Sequence, residues 1–384
     1  MSKPIAVLVG AIGKLPYAGV SFYYLHHLGG LLELGYDVHY VEAQNKPDEY
    51  YDPSIGMTDD VDAAVDYLAD LLPAYGVGPG RWSLVDAAGK CHGSGWPALR
   101  DTLDHADFVL TVADATWFDD LERCPRRAFV DGDPVFTQVA IDAGDGKWAD
   151  IATRYDVLFT YAFRIGQPDC SVPTLGRRWI PARPVVMTSW WKPTDSGENG
   201  AVTALLHWAA GGEVQVNGQV YGHKDREFEQ LLDLPARVDR PLRLAVGGRR
   251  APRDRLRAHG WTLVDPLAAT ATPAAYRSFI AESRADLGIA KHAYVASRSG
   301  WFSDRSTCFL AAGRPVLHQD TGCGEWLSVG EGVVLFSDAD GAVAALDEID
   351  ADYRRHAQMA RTVAKQEFEA RIVLAHMLEE AGYR

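Results

Sequence analysis

The sequence predicts an α/β protein built from two doubly wound domains that face each other across a cleft, and three observations predict it. Apolar runs such as Ile5-Ala6-Val7-Leu8-Val9 alternate with segments of helical period, which is the pattern of a parallel sheet buried on both faces. A crossing from 166 to 194 holds Pro168, Pro173, Pro181, Pro184 and Pro193 and ends in DSGENG at 195–200, the composition of a domain boundary. Beyond it the same order of strand, loop and helix begins again. The boundary is set near 195, giving an N-terminal domain at 1–195 and a C-terminal domain at 196–384.

In the first half, Ile5 to Val9 is read as a buried strand, followed by a glycine-bearing loop from Gly10 to Gly19 and an apolar helix through Leu25, Leu28, Leu31 and Leu34. Gly35 ends that helix and DVHYVE, 37–42, gives a second strand, completing a βαβ unit. The spacing predicts a helix over 59–75, an irregular excursion over 81–95 and a helix over 96–103. Strands are expected at DFVLTVA (107–113), at Arg127 to Val130 and at DVLFTY (156–161). Each ends in polar or aromatic residues, as strands do at the ligand-binding rim of an open sheet. Asp114, Asp131 and Asp133 are therefore candidates for a general base or for binding acceptor hydroxyls, although each could equally cap its own loop in an Asx turn.

In the second half, 201–208 is apolar enough for a strand, and Asn217-Gly218 between Val214-Gln215-Val216 and Val220-Tyr221 predicts a hairpin. Leu242 to Val246 runs as a buried strand into Gly247-Gly248-Arg249-Arg250. Unshielded amides at Gly248 and the Arg249 guanidinium suit a diphosphate there. ADLGIA, 285–290, is the next strand, and Lys291 and His292 leave it at the same rim. After a polar loop over 291–303, a helix begins at Ser303 or Asp304 and ends at Gly313, before the strand opened by Pro315-Val316-Leu317. Its first turn, Ser303-Asp304-Arg305-Ser306-Thr307, offers free amides, a helix dipole, hydroxyls and a guanidinium to an anion. A strand at 333–336 and helices over 338–384 complete the chain.

Composition bounds the function. The 384 residues suffice for two cores, and 47% apolar with 23% charged residues is ordinary for a globular protein. A net charge of −14 argues against nucleic acid as a bulk partner. The opening MSKPIAVLVGAIG lacks a leader-like apolar stretch and no later run reaches membrane length, so a cytoplasmic protein is expected. Five singly placed cysteines suggest neither a zinc site nor a disulfide framework, and no metal is expected. Eleven tryptophans and sixteen tyrosines leave some aromatic surface for stacking a sugar or a base.

The order helix, Ala-Ala-Gly-Arg-Pro-Val, strand, Asp320-Thr321-Gly322 resembles the donor-binding segment of the GT-B glycosyltransferases, and RSTCFLAAGRPVLHQDTG looks most like their bacterial spore-coat-type members. In sharp motif the resemblance covers 285–325, and in architecture most of the chain. The glycine loop with Pro-x-Ala-Gly is similar to the first unit of those enzymes, which implies that Gly13 lies near the transferred sugar. Gly222-His223-Lys224-Asp225 before a helix is similar to the opening of their nucleotide domain, which implies a donor-side role for Lys224. Where these enzymes carry a Glu-x7-Glu motif, this chain has Gly300 and Cys308, so no ribose-binding carboxylate is carried over.

The resemblance implies two Rossmann-like domains, with a last helix crossing back to the first, and transfer of a sugar from a nucleoside diphosphate donor, a co-substrate rather than a cofactor, to an unidentified acceptor. UDP, GDP, TDP, ADP and CDP all remain open, as do inversion and retention. Three other readings stand beside it: a sugar-nucleotide epimerase or sugar phosphorylase on the same fold, a non-catalytic nucleotide-sugar binder, and an NAD-dependent oxidoreductase. GAIGKLPYAG does not fit G-x-G-x-x-G, but Glu42 at the end of the second strand keeps the last of these open.

Overall fold

The structure is a computed structural model that describes residues 3–52, 54–113, 117–144 and 147–383. In the first half its strands are β1 (Ile5–Val9), β2 (Asp37–Ala43), β3 (Tyr50–Asp52), β4 (Gly56–Thr58), β5 (Trp82–Val85), β6 (Cys91–Gly93), β7 (Phe108–Val112), β8 (Arg127–Asp131), β9 (Val157–Thr160) and β10 (Trp179–Pro181). The second half holds β11 (Val202–His207), β12 (Val214–Val216), β13 (Gln219–Tyr221), β14 (Leu242–Gly247), β15 (Thr262–Val264), β16 (Ala285–Gly288), β17 (Val316–Gln319) and β18 (Val333–Phe336).

The first large sheet has the order β10-β9-β8-β7-β1-β2-β5-β6, and the second β15-β14-β11-β16-β17-β18. All pairings within them are parallel except β5 with β6. In each sheet the earliest strand is central and the chain winds outward first to one side and then to the other. The order therefore reverses between β1 and β7, and again between β11 and β16. Ligands of open α/β sheets bind beyond the carboxyl ends at such reversals.

Three local readings change. The excursion over 81–95 forms β5 beside β2 and its antiparallel partner β6, because Trp82-Ser83-Leu84-Val85 is buried along its whole length. The proline-rich crossing supplies β10 at the sheet edge, where Pro181 ends the strand and a missing N–H costs little. The polar loop from Lys291 contains a short helix, His292–Ala296. The Asn217-Gly218 hairpin forms as the sequence predicts, with φ of 51° and 82° at its two central residues.

One apolar cluster runs through both halves of the chain. Phe22 of the helix Ala18–Glu33 packs 5.0 Å from Trp191 and 5.8 Å from Tyr276, ring centre to ring centre. The closing helix, Ala370–Glu380, lies on that same first-half helix. The approach needs glycine: a Cβ at Gly30 would stand 2.6 Å from Leu374 Cδ1 and 2.9 Å from Ala370 Cβ. Backbone bonds from Val186 N to Phe368 O (2.8 Å) and from Ala370 N to Val186 O (2.9 Å) fix the entry to that helix.

Candidate functional site

The carboxyl rims of the two large sheets meet at a contact built from Asp133, Lys291 and their neighbours. Lys291 Nζ donates to Asp133 Oδ2 at 2.6 Å, and the Tyr294 hydroxyl donates to Asp133 Oδ1. Phe136 stacks on His223 with centroids 4.7 Å apart, and Trp301 Nε1 donates to the Gly132 carbonyl at 3.3 Å. Tyr294, Phe136, His223 and Trp301 were not singled out by the sequence. The surplus of tryptophan and tyrosine was the signal for Tyr294 and Trp301, without a position, and no signal pointed to Phe136 or His223.

The three aspartates separate. Asp114 lies outside the described residues. Asp131 is fully buried: Oδ1 accepts from Asp133 N at 2.9 Å, while Oδ2 accepts from Gln138 Nε2 at 2.9 Å and Thr160 Oγ1 at 2.7 Å. Burial raises its pKa, and with no open face it is a loop-organising residue rather than a base. Asp133 is the one left at the rim.

On the second sheet the cations sort differently from the sequence expectation. β11 and β16 pair only through Val202 with Ala285 and Thr203 with Asp286, whereas β11 and β14 stay paired to their ends. The strands diverge, leaving the Leu205 carbonyl unclaimed by the ladder. Arg305 fills the split, donating from Nη1 to Leu205 O at 2.7 Å and lying 3.3 Å from Asp286 Oδ1. Its guanidinium is thus engaged inside the fold and contributes potential rather than a free fork. Ser306 Oγ likewise donates to Asp286 Oδ2 at 2.6 Å, and Thr307 Oγ1 to the Asp304 carbonyl at 2.6 Å. Ser303 holds the N-cap position of Asp304–Ala311 without a side-chain cap, so its hydroxyl is not spent on the helix.

Lys224 opens the helix Lys224–Phe228 and makes no direct hydrogen bond or salt bridge among the described residues. Burial, followed by the charges of Arg305 and Lys291, pushes its pKa down to about 7. Asp304, facing the same cations, is pushed up by burial. A crowded set of cations whose ammonium is difficult to charge is a place that a bound anion relieves.

The remaining predicted residues divide between rim and interior. Gly248 sits at the rim with φ of 99°, and a Cβ there would stand 3.2 Å from His207 Nε2. Arg249 is exposed beyond it. His292 is structural, its Nδ1 accepting from Gly222 N at 3.2 Å. Gly13 also faces inward: its N–H donates to Glu42 Oε1 at 2.7 Å. Glu42 is fully buried under that loop, with Tyr40 donating to the same oxygen, and burial raises its pKa to about 7. The carboxylate that left a dinucleotide site open is therefore consumed by its own glycine loop.

The two positions that departed from the family motif have local causes. Gly300 has φ of 75° and a Cβ there would meet Arg164 Cγ at 2.7 Å, so a side chain does not fit. Cys308 is buried with Sγ 3.6 Å from His26 Nε2, where burial and the neighbouring Asp304 both disfavour a second negative charge. Nearby, the buried hydroxyls of Tyr23 and Tyr161 interact with each other, while Nε2 of His27 is buried with no hydrogen-bond partner among the described residues. Among the described residues no cluster of three or more metal-ligating side chains occurs, and no helix is long and apolar enough to cross a membrane.

Residues 226–381, most of the second half, match the family model described as glycosyl transferase-like. No curated protein matches the chain by sequence. Among solved structures, the chain is similar to an alpha-glucosyltransferase in complex with UDP and a 13-mer DNA, with a TM-score of 0.64 at 11% identity, covering 99% of this chain and 100% of that one. It is also similar to Anabaena HepE in complex with UDP and glucose, with a TM-score of 0.56 at 10% identity over 100% of both chains. A third is AviGT4, a glycosyltransferase involved in avilamycin A biosynthesis, with a TM-score of 0.53 at 12% identity over 99% of this chain and 97% of that one. These likenesses span the whole molecule and establish the double-domain GT-B fold.

Proposed function

We propose that this chain, which has the GT-B fold and carries the glycosyl transferase-like signature over residues 226–381, transfers a sugar from a UDP-linked or similar nucleoside diphosphate donor to an acceptor. The division of labour is part of the proposal: residues 1–195 take the acceptor and 196–384 the donor. The observation that carries it is Lys224, a helix-opening lysine with no hydrogen bond or salt bridge among the described residues that lies in the field of Arg305 and Lys291.

Cleavage of the donor's anomeric bond leaves negative charge on the departing diphosphate. Lys224 and Lys291 would bind it directly, the amides at the start of Asp304–Ala311 would add donors, and Arg305 would hold the local potential positive from below. No metal is invoked. When the diphosphate takes Lys291, it releases Asp133 from its ion pair. Asp133 then stands at the opposite rim as the base for an acceptor hydroxyl if the reaction inverts. The buried Nε2 of His27, which has no hydrogen-bond partner among the described residues, is suited to a sugar hydroxyl.

A panel of nucleotide sugars, assayed for nucleoside diphosphate release with and without hydroxyl acceptors, tests this. Acceptor-dependent release supports transfer. Conversion of the donor alone would instead indicate an epimerase, and binding without turnover a non-catalytic protein. A nicotinamide cofactor is expected to leave thermal stability unchanged.

A further inference from the structure

Behind the cleft, the linker after Trp191 and the helix Tyr353–Glu367 enclose a groove of about 790 Å³. Its wall includes Thr194, Arg314, Tyr353, Arg354, Arg361 and Lys365, with Glu198 as the carboxylate among its lining residues. Four cations against one anion is a local reversal of sign in a chain whose net charge is −14. We propose that this groove is a second anion site, taking a small soluble polyphosphate.

The cations have different states. Arg314 is 2% exposed, and its Nη2 donates to Thr194 O (2.7 Å), Thr194 Oγ1 (2.8 Å) and Ala281 O (2.7 Å). Its Nη1 reaches the Tyr353 hydroxyl at 3.2 Å, and its Nε is buried with no partner. Arg361 donates to the carbonyls of Trp191 and Ala311. Those contacts rigidify the floor and offset the negative end of the Asp304–Ala311 helix, which terminates here and would otherwise repel an anion. Lys365 is exposed and has no carboxylate partner among the described residues. Arg354 lies 3.6 Å from Glu198 in an exposed pair that a stronger anion would displace. Two fixed guanidinium groups below, with Lys365 and the weakly paired Arg354 above, form a site for several phosphate oxygens at once.

The groove meets Gly313 and Arg314 at the carboxyl end of a helix whose first turn faces the cleft. Eight residues of helix, about 12 Å, separate the two ends. The inference does not depend on sugar transfer, and it is tested without it.

Inorganic pyrophosphate is titrated into the full chain by calorimetry at pH 7 and physiological salt. Two sites are expected in the wild type. Lys224→Ala with Lys291→Ala should remove the cleft site and leave the other. Arg354→Glu with Lys365→Glu changes only exposed side chains and should leave the cleft site while weakening the second at least tenfold. An unchanged melting temperature confirms folding, and the milder Lys365→Ala should give a smaller loss in the same direction. Binding that disappears entirely in the Lys224→Ala, Lys291→Ala protein, or a groove site that survives the double charge reversal, overturns the proposal, whereas a single wild-type site that persists in the first variant and is lost in the second supports it and counts only against the cleft site.

Discussion

Lys291 at the rim of the second sheet donates to Asp133 at the rim of the first across 2.6 Å, so that the lysine proposed to bind the diphosphate and the carboxylate proposed as the base hold each other. A diphosphate and Asp133 would compete for the same ammonium. Asp133→Asn should therefore leave nucleotide affinity unchanged or raised while reducing transfer, roughly 10²- to 10⁴-fold if Asp133 is the base. Stability should change by no more than about 1 kcal/mol, because the pair is partly exposed. Steady-state kinetics with a nucleotide titration checks the split; equal losses in both would remove Asp133 from the chemistry.

Lys224 predicts a pH dependence. Its pKa of about 7 in the free protein rises when a diphosphate neutralises Arg305 and Lys291, so binding takes up a proton above pH 7. Nucleotide affinity should fall as pH rises above 7, and Lys224→Arg, which stays charged, should flatten that fall. Calorimetry in buffers of different ionisation enthalpy measures the proton count directly.

Glu42 makes a prediction about stability instead. Its folded pKa of about 7 lies above the ordinary carboxyl value, so the folded state holds the proton more tightly than the unfolded chain. This stabilisation is fully present below pH 4.5 and is lost as pH rises through 7, a change on the order of 3 kcal/mol. Glu42→Gln should abolish that segment of the stability curve, as denaturant unfolding at pH 5 and pH 8 would show.

The docking of the closing helix is equally testable. Leu374 is 1% exposed against Gly30, and Leu374→Ala should cost about 2–5 kcal/mol. Loss near zero would mean that the helix is not held where it lies.

How much of this was legible follows from what sequence patterns encode. Apolar runs and their order specified the central strands of both sheets but not the outer strands β5, β6 and β10, and the helix start at Ser303-Asp304 was readable from its capping residues. The placement of Lys224 at a helix start was readable because a lysine opening a helix after a strand is a local pattern. Arg305 was misread because its partners, Leu205 and Asp286, are 100 and 19 residues away and become available only where β11 and β16 part. Asp131 and Asp133 look alike in sequence. What separates them is that Asp131 ends a buried strand beside Thr160 and Gln138, whereas Asp133 follows the turn. Glu42 and Gly13 were each read as facing a ligand because their mutual hydrogen bond spans 29 residues.

The most direct measurement is the affinity of UDP for the wild type and for Lys224→Ala, with the other nucleoside diphosphates as comparison. The account predicts that at least one nucleotide binds and that the substitution weakens it roughly ten- to hundredfold, the value of one charge-assisted contact. Equal affinity in the two proteins would contradict the placement of the diphosphate beside Lys224.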